Sequence, residues 1–140
     1  MWMVKARTAE SRAGESEKIT INLGFVDLGQ IDLIVSDGFY ANRTDFIRTA
    51  IRNHLDKHSK ELAKSLERKN LDLGSHDYSR AFLEGLKRSE KTVNIHVIGL
   101  ARIADDVSAG LARSTIASVS VLGAFQASSA VKAALSDRFS

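Results

Sequence analysis

The 140 residues include no cysteine and no proline, and only 6% are aromatic. Without cysteine there are no disulfides, thiolate metal sites, iron–sulfur clusters or cysteine nucleophiles. Without proline, glycine must make the sharp turns. With so few rings, any core drawn from the 44% hydrophobic residues is aliphatic. No apolar run exceeds the four residues of Met1–Val4, against the roughly 20 that a membrane helix needs. No apolar segment follows the basic residues near the N-terminus, so no secretory signal is expected and the chain reads as a soluble, cytoplasmic protein. Also missing are a Gly-rich phosphate loop, a GxSxG elbow and an HExxH pair. These absences disfavour an enzyme, and no cofactor is expected. The 20 basic and 17 acidic residues give +3, which permits nucleic-acid binding without demanding it.

Charge is unevenly spread. Residues 1 to 91 hold 16 basic and 14 acidic side chains, while residues 92 to 140 hold four and three. A tail so poor in charge, and rich in Val, Ile, Ala and Ser, must bury its apolar surface. The organisation expected is a flexible arm over 1–16, a first domain over 17–56, a helical extension or linker over 57–91, and a second structural unit over 92–140.

In the first domain, Ile19, Ile21 and Leu23 alternate with Lys18, Thr20 and Asn22, the pattern of a half-buried strand that Gly24 ends. Asp27 with Gln30 resembles a capping box that opens a short helix, with Ile31, Ile34 and Val35 inward and Gly38 as its left-handed cap. Asn42 is a good N-cap for a second helix, and Asp45 can reach back to complete the box. Phe46, Ile47, Ala50, Ile51, Leu55, His58, Leu62 and Leu66 then recur at spacings of three and four, so the helix could run unbroken to about Asn70. Residues 70–75 read as a loop, and Tyr78 to about Lys91 as another short helix that His76 begins.

From Thr92 the period returns to two. Shifted by 24 residues, 93–113 overlies 117–137 with Val97 on Val121, Gly99 on Gly123, Val107 on Val131, Ala109 on Ala133 and Leu111 on Leu135. Each copy reads as a strand, a glycine turn, a short strand and a helix, that is, two β-β-α units, with Asp106 capping the first helix. A period in the twenties is typical of stacked repeats; a small α+β unit with coincidental spacing is the alternative. His54 and His58 stand four apart on one helical face, a metal-binding spacing. No third ligand lies nearby and His58 falls on the apolar stripe, so no metal site is expected.

Residues 17 to 56 carry the specific signal: an alternating strand, a short helix ending in glycine, the run from Gly38 to Asp45 with Asn42-Arg43-Thr44-Asp45 at its end, and Ile47 to Ile51. In this order they resemble the ribbon-helix-helix family of DNA-binding proteins, typified by the Arc, MetJ and CopG repressors. A departure is Gly24-Phe25, where many members carry a proline. The resemblance implies an α+β chain whose β-α-α segment forms an intertwined homodimer. It implies Lys18, Thr20 and Asn22 as base readers on a two-stranded ribbon in the major groove, with Asn42, Arg43 and Thr44 at a phosphate clamp.

The physics of the segment agrees. One strand and two helices cannot bury enough surface alone, and pairing with a second copy cures this. The function expected is a sequence-specific, nucleoid-associated transcriptional regulator, a repressor, that binds double-stranded DNA. Residues 92–140 are expected to oligomerise it to a tetramer or beyond. The alternatives are the antitoxin of a toxin–antitoxin pair, against which the charge-poor, strand-patterned tail argues, and a structural nucleoid or filament protein.

Overall fold

The computed structural model describes residues 16–140, so all of the expected arm except Ser16 lies outside the described residues. The chain forms two compact units, one up to Leu62 and one over Ala63–Ser140.

In the first unit, residues 16–24 carry neither helix nor ladder. The expected strand over 17–23 is therefore not formed in the single chain, because a strand is held by a neighbouring strand and the described residues of this unit offer none. Helix α1 spans Phe25–Ser36. Its N-cap is Gly24, without a side-chain cap bond, and Asp27 sits in the first turn rather than at the cap. There its carboxylate still favours the positive end of the helix. Ile31 is buried and Ile34 and Val35 half-buried, as their spacing predicts. Gly38 turns left-handed at φ +89, its N–H donating to the Val35 carbonyl oxygen (3.0 Å). Helix α2 spans Arg43–Lys57. The Asp45 N–H donates to Asn42 Oδ1 (2.8 Å), and the Ala41 N–H donates to Asp45 Oδ2 (3.0 Å). The box thus closes one residue earlier than expected.

The helix does not run to Asn70. It ends at Lys57, His58 leaves helical geometry (φ −99, ψ 14), and a separate helix α3 follows over Ser59–Lys69. An apolar stripe at spacings of three and four continues in phase across such a break, so periodicity alone does not reveal it.

In the second unit, residues 72–78 are a strand rather than the expected loop and helix start. β1 (Asp72–Tyr78), β2 (Val93–Ile103) and β3 (Ile116–Gln126) form one sheet in that order, parallel throughout. Each strand is followed by a helix: α4 (Arg80–Arg88), α5 (Ala109–Thr115) and α6 (Ser129–Ala134), with a 3₁₀ turn at Ser136–Arg138. The core joins one sheet face (Ile95, Val97, Ala101, Ile103, Val119) to Leu83, Leu111, Ala112, Val131 and Leu135 from the helical side. This unit therefore takes in β1 and α4, which the sequence assigned to a linker.

The 24-residue shift holds in the strands: Val97 pairs with Val121, Ile98 with Leu122 and Gly99 with Gly123. It fails in the helices. Gly99 does not turn the chain but sits within one continuous strand, and β1 adds a third copy with Gly74 beside Gly99. The real helix signal is a serine cap. Ser79, Ser108 and Ser128 accept from the N–H groups of Phe82, Leu111 and Val131 (3.1, 3.1 and 3.2 Å). Ser108, not Asp106, caps α5. The caps follow their glycines by five, nine and five residues. The four extra residues put α5 out of phase with the 24-residue shift.

Two arginines tie down the C-terminal segment. Arg113 donates to the Ala134 carbonyl and, with both Nη atoms, to Asp137 (2.7, 2.7 and 3.1 Å), while Arg138 donates to the carbonyls of Arg113 and Ile116. The Arg113 guanidinium holds the Asp137 carboxyl down at about 2.

Candidate nucleic-acid interface

Residues 17–23 combine two faces of opposite character. Lys18, Thr20 and Asn22 are exposed, and so are the residues between them, with Ile19 at 72% and Ile21 at 61%. Three large aliphatic side chains on a short segment do not stay in water without a reason. The rest of the first unit has the same character. Phe25, Val26, Leu33, Phe39, Ile51 and Leu55 are exposed, and a shallow apolar depression is lined by Ala50, Ile51, His54 and Leu55. Ile31 is the one buried hydrophobic side chain among the described residues of this unit. The inward set expected from the sequence, Ile19, Ile21, Leu23, Phe46, Ile47, Ile51 and Leu55, therefore lies at the surface or only half-covered. Phe25, Val26, Leu33 and Phe39 belong to that surface without being expected there, since they fall outside the helical period.

The clamp residues sit together at the start of α2. The first-turn amides of Arg43 and Thr44 have no intrahelical carbonyl within reach and lie at the positive helix end. The Asn42 side chain is engaged in capping. Arg43 does not project freely. Its Nε and Nη2 donate to Asp32 Oδ1 and Oδ2, both at 2.8 Å, joining α2 to α1. This fork-to-fork bond keeps the Asp32 carboxyl below its ordinary range and holds Arg43 firmly charged. Nothing in the sequence flags Asp32, because its pairing with a residue eleven positions away depends on the turn between the helices. Tyr40, in that turn, packs edge-on against Phe46 of α2 with ring centroids 5.1 Å apart.

His54 and His58 meet edge to face, 5.2 Å between centroids. Among the described residues no cluster of three His, Cys, Asp or Glu could hold a metal ion. Nor is any described helix long and apolar enough to cross a membrane.

Residues 14–132 match a family of ribbon-helix-helix transcriptional regulators. No curated protein and no solved structure matches the chain.

Proposed function

Since the chain belongs to the ribbon-helix-helix transcriptional regulator family, whose members bind DNA, we propose that it is a sequence-specific regulator. In this reading two copies pair their 17–23 segments into an antiparallel ribbon that enters the major groove. One observation carries it: exposed Ile19, Ile21 and Leu23 alternate with exposed Lys18, Thr20 and Asn22 ahead of two helices that, among the described residues, bury only Ile31. Pairing across a two-fold axis covers the aliphatic face with the exposed faces of α1 and α2 and leaves six polar side chains pointing outward. A two-stranded ribbon fits the major groove. Asn22 suits adenine, Lys18 suits guanine, and Thr20 suits either a polar base edge or a thymine methyl. The amides of Arg43 and Thr44, with Asn42 beside them, receive a phosphate. Occupying the groove at the nucleoid denies it to other proteins, so the regulation proposed is repression, with the second unit joining dimers into tetramers or larger assemblies.

Selection of bound duplexes from a random pool tests this reading. Short half-sites in inverted repeat are expected, and a pool that stays random after selection would sink it.

The bond between Asp32 and Arg43 makes a finer prediction. Arg43→Ala should weaken binding to every sequence alike and flatten the plot of log affinity against log salt by about 0.9 for each phosphate no longer neutralised. Asp32→Asn should do the opposite, releasing the guanidinium to phosphate and steepening the slope. If both variants keep the parental slope in a salt titration, Arg43 does not touch the backbone.

A further inference from the structure

Among the described residues, the sheet of the second unit has stretches without a ladder partner at both edges, although the Phe139 ring packs edge-on against Phe125 of β3 with centroids 5.2 Å apart. β1 pairs only with the later half of β2, from Val97 to Ile103. On the far side of β3, Phe139 bridges Val119 and the Ser140 N–H donates to the Val119 carbonyl (3.0 Å). That bridge lies at the early half of β3, so the outer edge from Val121 to Phe125 carries no ladder among the described residues. Since Val97 is level with Val121, this stretch is the counterpart of the one that β1 occupies on β2.

Three features match the two edges to each other. The first is the glycine row. Gly74, Gly99 and Gly123 all take φ between +120 and +132. A β-carbon on Gly99 would lie 2.3 Å from the Gly74 carbonyl oxygen, and one on Gly123 would lie 2.1 Å from that of Gly99. Each missing β-carbon thus makes room for the carbonyl of the neighbouring strand. Gly74 adopts the same backbone, yet nothing stands within 4 Å of its β-position. The room is there, and the carbonyl that would fill it belongs to a strand beyond the edge.

The second feature is a row of large aliphatic side chains. Leu73, Ile98 and Leu122 are level across the sheet, on the face away from the core. The outer two are strongly exposed, Leu73 at 72% and Leu122 at 54%. The third is charge. β1 carries Asp72, His76 and Asp77, whereas β3 from Val121 onward carries no ionisable residue, so nothing repels across the junction.

From these we infer that β1 of one copy adds to the outer edge of β3 of another, extending the parallel sheet head to tail. Gly74 then lies beside Gly123, Leu73 beside Leu122, and Asp72 beside Val121, in the register that β1 and β2 already use. Such a joint is heterologous. Each copy offers two different edges, so growth continues until a ring closes or the chain of copies ends. It deepens the assembly role proposed above for the second unit and rests on it, but it is independent of how the ribbon reads DNA.

Sedimentation velocity on the full chain without DNA tests it. The parent should form species larger than a dimer that grow with concentration. Leu73→Asp and Leu122→Arg, both at exposed sites, should each abolish those species while leaving the melting curve unchanged. Combined in one chain they should restore assembly, because a head-to-tail joint sets the new carboxylate against the new guanidinium. An edge paired with its own copy would oppose like charges and would not recover. Leu73→Ser and Leu122→Ser, milder changes at the same exposed sites, supply a second probe should either charged variant melt early: each should shift assembly to higher concentration by stripping an aliphatic side chain from the joint. A parent that never exceeds a dimer overturns both the joint and the assembly role. A parent that assembles while the variants assemble equally well, or while the charge pair fails to recover, overturns the joint alone.

Discussion

Replacing Gly99 by alanine should unfold the second unit at temperatures where the parent is intact. The new β-carbon would stand 2.3 Å from the Gly74 carbonyl oxygen and 3.1 Å from its carbon. Both are backbone atoms of a paired strand, not the end of a side chain that could swing away. A non-glycine residue at φ +132 adds strain of about 1–3 kcal/mol before any overlap is counted. Relief requires β1 to separate from β2, which exposes the half of β2 that carries Ala101 and Ile103. A loss of about 3–5 kcal/mol is expected, in the range reserved for broken cores and forbidden backbone. At roughly 4–8 °C per kcal/mol for a unit of this size, the transition should fall by more than about 12 °C. Gly110→Ala is the control. It lies in α5 with nothing near its β-position, and alanine there should be neutral or stabilising by up to about 1 kcal/mol. Equal melting temperatures for the two variants would show that the glycine row does not hold the strands together.

Asn22→Ala should leave the fold untouched, since the side chain is exposed, and should remove discrimination at one base pair in each half-site. A good bidentate bond to adenine contributes about 1–3 kcal/mol. The two-fold repeat doubles that to roughly 2–6 kcal/mol per dimer, enough to erase most of the preference for an operator over random DNA. The measurement is affinity for the selected duplex and for a scrambled one at the same salt. Specific binding should collapse toward the unspecific level while unspecific binding holds. Equal weakening on both duplexes would mean that Asn22 faces phosphate or nothing, and that bases are read elsewhere.

What could be read from the chain in advance follows the range of the forces involved. Asn42 and Asp45 announced the start of α2 because a cap bond spans three residues and needs no tertiary partner. Gly38 announced the end of α1 for the same reason. The 24-residue shift was legible through β2 and β3 because parallel strands in register preserve their spacing. β1 escaped because it is polar, with Leu73 as its one large aliphatic residue, and is held as a strand only by β2, some twenty-five residues later. The serine caps were in view at Ser79, Ser108 and Ser128, but unequal loops hid their equivalence. Around the ribbon, the alternation of Lys18, Thr20 and Asn22 with aliphatic residues was plain. The clasp of Asp32 on Arg43 was not, since a bond between two helices depends on the angle at which the turn sets them.

That Ile31 alone is buried among the described residues of the first unit bears on dosage. A unit that conceals one side chain cannot keep its shape unaided, so in the dimeric reading its folded fraction depends on the supply of second copies. At low abundance, occupancy of a binding site then climbs with the square of the chain concentration rather than in proportion to it. Halving the amount of protein removes about three-quarters of the occupancy. In that reading the regulator responds to its own synthesis and dilution more steeply than in proportion.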